Sequence, residues 1–228
     1  VPPVLLSEIQ RAISSVKNRT APGTDKIRSE HLKNIPPVLV NTLARLFTRY
    51  LSERKVRTQW KTSKTVLLFK KGDLHDVGSY RPICLLSVVY KLFTRVILNR
   101  IDRTLDEGQP YDQARFRKGF SMMGHINTIT RLIEVSREYK RPLCHTFIDL
   151  EEAFDSIEIE AVMEALGSQG VPTQYIKILR ELYKNFTTKI SPFYNDINVD
   201  VKRGVRQGYT ISPKLFTATL QNVMRTLE

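Results

Sequence analysis

With 228 residues, 41% hydrophobic and 26% charged, the chain suits one folded unit with a sizeable core. Its apolar runs are too short to span a membrane, its two cysteines exclude a disulfide framework, and its four scattered histidines give no zinc spacing. The net charge of +13 is uneven: residues 1–140 hold 26 Lys and Arg against 12 Asp and Glu, whereas residues 141–228 hold 10 against 11. A basic portion beside a carboxylate-bearing one suits a polyanion held against a charged site.

In chain order, Leu6, Ile9, Ile13 and Val16 recur at helical spacing, with Ser7 and Gln10 in capping-box positions, which predicts a helix to about Lys17. Thr20-Ala21-Pro22-Gly23-Thr24-Asp25 breaks it with turn chemistry. A second helix is predicted from about Pro36 to Glu53, its apolar face marked by Leu39, Leu43, Leu46, Phe47 and Tyr50. Residues 54–71 contain no acid, and Thr65–Phe69 within them reads as a strand preceded by Trp60, a core anchor. Lys70-Lys71-Gly72-Asp73 and Tyr80-Arg81-Pro82-Ile83-Cys84-Leu85 follow. Ser87–Leu105 then reads as a long helix ended by Gly108-Gln109-Pro110. Gly119 and Gly124 are spaced as in a phosphate-binding P-loop, but His125-Ile126 stands where Lys-Ser/Thr must follow, which removes a P-loop NTPase. No G-x-S-x-G elbow or H-E-x-x-H run supports a serine hydrolase or a zincin.

Leu143–Ile148 reads as a short buried strand that delivers Asp149 at its end. A carboxylate there either caps the next helix or meets a cation, because burying it uncompensated is costly. Helices are predicted over Glu158–Ser168 and Pro172–Phe186, and a hairpin over Thr187–Val201 around Asn195-Asp196. Asp196 and Asp200 would share a strand face, where a solvated edge is the simpler reading than a metal pair. Arg203-Gly204-Val205-Arg206-Gln207-Gly208 leads through Ser212-Pro213 into a last helix carrying Leu215, Phe216 and Leu220.

Several of these blocks together resemble one family. D-x-x-x-A-F-D at 149–155 is similar to the first catalytic motif of reverse transcriptases. K-K-G-D followed by Y-R-P-I-x-L, and R-G-V-x-Q-G-x-x-x-S-P-x-L-F at 203–216, resemble segments of the non-long-terminal-repeat (LINE-type) retrotransposon enzymes. The A-P-G-x-D turn resembles their N-terminal extension. Gln113–Ser121 matches a further block in part, with Arg115 where the family has Gly. If that position needs a positive φ, arginine would strain it by roughly 1 kcal/mol.

The resemblance implies an RNA-directed DNA polymerase of α+β class: right-hand fingers and a partial palm, a split βαβ unit on an antiparallel sheet, without a thumb. Residues 1–228 would form one reverse transcriptase domain, with 1–105 and 157–200 as N-terminal extension and fingers, and 106–156 and 201–228 as palm. Asp149 and the Leu150 backbone carbonyl would hold magnesium, two ions serving the intact enzyme. Arg81, Phe154, Gln207 and Gly208 would contact the nucleotide: Arg81 on the triphosphate, Phe154 excluding ribonucleotides, Gln207 and Gly208 beside the nascent pair. Asp155 would be a structural partner. Lys70, Lys71, Arg117, Lys118 and Arg206 would touch nucleic acid. Partners are then an RNA template, a DNA primer and deoxynucleoside triphosphates, with no membrane, and the location is intracellular, in cytoplasm and nucleus.

The same resemblance places an aromatic-Ala-Asp-Asp hairpin, carrying the remaining metal carboxylates, after Glu228. The chain is therefore expected to be a truncated form whose primer extension sits at background, because two-metal transfer needs a bridging set of carboxylates. A group II intron maturase shares the polymerase core and is the alternative enzyme. A non-catalytic RNA-binding remnant is the alternative from another class.

Overall fold

The computed structural model describes residues 1–109, 121–191 and 195–226. Nine α-helices, two short 3-10 turns (Thr58–Lys61 and Val77–Ser79) and four strands occur among them: α1 (Leu6–Ser14), α2 (Ser29–Lys33), α3 (Pro37–Glu53), β1 (Thr62–Phe69), β2 (Tyr80–Leu85), α4 (Val88–Glu107), α5 (Met122–Glu138), α6 (Ala153–Ser156), α7 (Ile159–Ser168), α8 (Thr173–Tyr183), β3 (Phe186–Ile190), β4 (Ile197–Val201) and α9 (Ser212–Arg225). The class is α+β.

The helices follow apolar periodicity. In α3, Val40, Ala44, Phe47 and Leu51 are buried at steps of three and four, and the left-handed Arg54 stops the helix. Ser87 caps α4 by accepting from the Val89 N–H, and Leu92, Phe93, Val96, Ile97, Ile101 and Leu105 are fully enclosed. Trp60 is a core anchor, as its place before the strand implies: 5% exposed, it meets Phe93 (5.3 Å between ring centroids), Tyr50 (5.1 Å) and Tyr90 (5.6 Å). Such ring pairs add specific edge and tilt contacts to the area they bury.

The start of the chain is clamped rather than loose. α1 begins one residue before Ser7, and it is Glu8, not Gln10, that reaches back to the Leu5 N–H (2.9 Å). Arg100 of α4 then grips both Glu8 oxygens at 2.7 Å and donates to the Pro2 and Pro3 carbonyls. The Ala21-Pro22-Gly23 turn lies directly on the junction of β2 and α4. A Cβ on Gly23 would fall 2.3 Å from the Leu86 carbonyl carbon and 2.4 Å from the Ser87 nitrogen, so backbone packs on backbone there.

The sheet order is β2-β1-β3-β4. β1 and β2 form an antiparallel hairpin, as do β3 and β4, and the two hairpins join through a parallel β1–β3 pair with Thr62 opposite Thr187 and Thr65 opposite Ile190. The sheet is thus mixed, where an antiparallel palm sheet was expected, and all its strands come from segments assigned above to the fingers. Both of its faces are mixed in polarity, with Phe186 buried on the inner one. Ser63, Thr65 and Thr188 point inward and share hydrogen bonds of 2.7 Å, while Val66 and Leu68 face solvent.

One expected strand is not formed. Residues 143–148 carry no strand pairing, and Phe147 and Ile148 are 83% and 80% exposed. Apolar β-formers become a strand only when a neighbouring chain completes the ladder; among the described residues none lies beside them. Helix α5, absent from the sequence expectations, likewise buries no side chain among the described residues.

Candidate functional site

The site is built where three segments of distant sequence dock by backbone hydrogen bonds. Val205 N donates to the Phe154 carbonyl (2.7 Å) and Gly204 N to the Ile157 carbonyl (2.8 Å), fusing the 203–208 loop to the turn after Asp149. Cys84 N of β2 donates to the Gln207 carbonyl (3.3 Å), which fixes the same loop to the strand that carries Arg81. Gly204 is required here. Its φ of +89° suits glycine, and a Cβ would sit 2.8 Å from the Asp155 carbonyl oxygen. Gly208, at φ +95°, turns the loop back along Ile83.

Side chains finish the junction. Gln207 Nε2 donates to Asp155 Oδ2 at 2.6 Å. Partial desolvation pushes the Asp155 carboxyl above the usual aspartate range, and the Gln207 hydrogen bond opposes that rise. Phe154 is half-buried and stacks on Phe216 of α9, centroids 4.6 Å apart and planes at 18°.

Arg81, Lys70 and Lys71 are exposed at the far end of the β1–β2 hairpin, whose turn is held by Lys70 N donating to the Ser79 carbonyl (2.8 Å). Directly opposed residues share a face, so Lys64, Val66, Leu68, Arg81, Ile83 and Lys189 line the outward side of the sheet. That side combines aliphatic surface with cations, a fit for flat bases and phosphates.

Asp149 and Leu150 lie in an exposed stretch without regular structure. Carboxylate and carbonyl oxygens are the hard donors that magnesium prefers, but no group of three His, Cys, Asp or Glu able to hold a metal occurs among the described residues. Asp196 pairs with Lys189 (2.7 Å) and lies below the usual carboxylate range, held there first by that lysine, so the edge reading of the 196/200 pair stands. Arg117, Lys118 and the Arg115 turn lie outside the described residues.

Arg206 requires a correction. It was expected at the nucleic acid, yet it is 4% exposed, and its guanidinium faces Phe186 (3.6 Å to the centroid), Tyr183 (4.6 Å) and Tyr90 (5.5 Å). Nη1 donates to the Tyr90 hydroxyl at 2.6 Å and Nη2 to the Leu182 carbonyl. No carboxylate partners it among these contacts; aromatic faces and dipoles compensate the charge instead. It is a core residue that ties α4, α8 and β3 to the 203–208 loop.

The turn at 154–157, the 204–208 loop and β2 are docked together beside a basic sheet face, and comparison with known proteins gives the class. Residues 69–228 match the family model described as reverse transcriptase (RNA-dependent DNA polymerase). The chain belongs to that family. Within it the relatives are retrotransposon polymerases of the non-long-terminal-repeat kind. The chain is 28% identical over 222 residues to the "Probable RNA-directed DNA polymerase from transposon BS" of Drosophila melanogaster, covering 95% of this chain and 24% of that protein. It is 26% identical over 229 residues to the "Retrovirus-related Pol polyprotein from type-1 retrotransposable element R2" of Popillia japonica, covering 99% and 31%. Against the "RNA-directed DNA polymerase from mobile element jockey" of Drosophila melanogaster it is 25% identical over 218 residues, covering 94% and 24%. The chain thus spans between about a quarter and a third of the length of these relatives. No helix among the described residues is long and apolar enough to cross a membrane.

Proposed function

We propose that this chain is the fingers and part of the palm of an RNA-directed DNA polymerase. In this reading it grips a primed RNA template through its basic sheet face and receives a deoxynucleoside triphosphate in the cleft between Arg81, Phe154 and Gln207. The carrying observation is the three-way junction: Phe154 and Ile157, the 204–208 loop and β2 are locked together by backbone bonds of 2.7–3.3 Å. Residues 62–85 and 186–201 share one sheet, which supports grouping segments 1–105 and 157–200 as one subdomain.

Arg81 offers a planar, permanently charged fork to triphosphate oxygens. Phe154, braced by Phe216, presents a rigid ring edge to the sugar, where a 2′-hydroxyl would collide. Gly208 lets the loop run close to the bound nucleotide, and Lys70, Lys71, Arg81 and the outward lysines neutralise backbone phosphates without reading sequence. Asp149 with the Leu150 carbonyl supplies the donors this chain would give to divalent magnesium; when bound, such ions stabilise charge on the attacking and leaving oxygens. A single carboxylate is not a complete site. The place of action would be intracellular, where RNA template and deoxynucleotides meet.

The test separates binding from synthesis. The 228-residue chain is expected to bind primed RNA in a salt-dependent manner that survives Asp149→Ala. In a polypeptide that extends this sequence through an aromatic-Ala-Asp-Asp hairpin, the same change is expected to abolish magnesium-dependent primer extension. Synthesis that persists in Asp149→Ala, or binding that is insensitive to salt, would refute the assignment.

A further inference from the structure

We infer that Asp155 is a positioning residue, one that sets which end of the Gln207 carboxamide faces the nucleotide cleft. The inference rests on Gln207 being a cleft residue, as proposed above, and goes beyond it by fixing the chemistry Gln207 presents. A glutamine amide carries donors on one side and an acceptor on the other, and turning it by half a rotation exchanges them. An ionised carboxylate only accepts. With Asp155 Oδ2 at 2.6 Å from Nε2, the NH₂ side is held at Asp155, and Oε1 is left as a free acceptor for a donor group on the ligand.

The geometry around the pair is unusually determined for so open a place. Asp155 is exposed and Gln207 half-buried. A free surface contact between two flexible side chains would add little order. Here both backbones are pinned: Phe154 and Ile157, on either side of Asp155, accept from Val205 and Gly204, and the Gln207 carbonyl accepts from Cys84 of β2. A glycine at 204 is what lets the Asp155 backbone come this close. The carboxylate therefore acts at a fixed distance, and the charge-assisted bond it makes is short. Among the described residues Glu152 is the charged group felt by Asp155, and it repels rather than pairs, which leaves Gln207 as the hydrogen-bond partner. The consequence is selective. A ligand group that donates to Oε1 is favoured, and one that only accepts meets an acceptor.

The test follows the Gln207 side-chain amide by NMR in the 228-residue chain. In the unmodified protein, a trans-hydrogen-bond coupling between Nε2 and the Asp155 carboxyl carbon is expected; its absence overturns the inference without any variant. Asp155→Ala should move the Gln207 NH₂ resonances to the values of a solvent-exposed carboxamide, whereas Asp155→Asn, which keeps an acceptor, should hold them in place. Primed RNA and the next complementary deoxynucleotide are then added with magnesium. The Gln207 amide should respond in the unmodified chain and in Asp155→Asn, and the response should vanish in Asp155→Ala. An undiminished response in Asp155→Ala refutes the positioning role. If the unmodified chain shows the coupling but no response to nucleotide, the pairing stands while Gln207 loses its place in the cleft, and the inference falls with it.

Discussion

Replacing Tyr90 with phenylalanine tests the most unusual feature of the core, a guanidinium held among rings. Tyr90 is buried in α4, and burial pushes its phenol above the ordinary tyrosine range, so at neutral pH the hydroxyl is a neutral dipole. Deleting that oxygen changes almost no volume. It leaves Arg206 with the Leu182 carbonyl as its hydrogen-bond acceptor, while its Nε already has none. A hydrogen bond to a charged group contributes about 1.5–3 kcal/mol, and a buried charge deprived of its partner retains its full desolvation cost. Tyr90→Phe should therefore destabilise by about 2 kcal/mol. For a chain of this size that is a fall in Tm of about 4–8 °C, or a lower urea midpoint at unchanged slope. Arg206→Met and the double variant complete a cycle in which the two changes should be strongly non-additive. A Tyr90→Phe protein within about 0.5 kcal/mol of the parent, at equal slope, would show that the aromatic faces alone neutralise the cation.

Other consequences are equally direct. Gly23→Ala should fail to accumulate as folded protein, or show early cleavage in limited proteolysis of the first 30 residues, because its methyl would enter the Leu86–Ser87 peptide; a parent-like digestion pattern would refute the close approach. Glu8→Gln should cost about 1 kcal/mol at neutral pH, near the upper end for a partly exposed pair. Its carboxyl is held below the usual glutamate value by Arg100, so this stability is present above about pH 4.3 and is lost as pH falls through the folded value. Parallel melting curves of the two proteins should accordingly converge in acid. Alanine at Lys70, Lys71 or Arg81 should each lower the salt dependence of primed-RNA binding, the log–log slope changing by about 0.7–0.9 for every phosphate no longer neutralised. Arg206→Met should leave that slope unaltered.

What the sequence disclosed divides along physical lines. Helices whose apolar faces pack locally, such as α3 with Phe47 and α8 with Leu179, are legible from spacing, although in α3 the expected Leu39 is exposed while Val40 and Ala44 are buried; the β3–β4 hairpin is legible too, whereas of the first hairpin spacing gives only the β1 strand. The parallel joining of those hairpins is not, because nothing local to Thr62 specifies Thr187. Residues 143–148 have the composition of a strand, but pairing is a property of two chains and composition of one. Helix α5 has a readable start in Ser121, whose hydroxyl accepts from Met123 N (3.0 Å); the glycines at 119 and 124 on either side of that cap read as a loop instead. Arg206 is expected at nucleic acid through the resemblance of its segment, which says nothing of burial. The hint to the contrary is Val205 and Tyr209 around it, with no acid in the loop. At the site, motif resemblance singles out Phe154 and Gln207 as candidates, whereas the bond between Gln207 and Asp155 joins positions 52 apart and has no local signature.

The parallel register of β1 with β3 also has a consequence for how the protein is made. Ser63 and its hydroxyl partner Thr188 are separated by 125 positions. At about 5–20 residues per second of synthesis, the first hairpin, complete at Leu85, leaves the ribosome roughly 5–20 s before β3 begins at Phe186. Throughout that interval β1 offers an open edge, with Val66 and Leu68 already uncovered beside it. Nascent copies crowded on one messenger could seize each other there, so translation speed through the intervening helices would govern yield as much as final stability does.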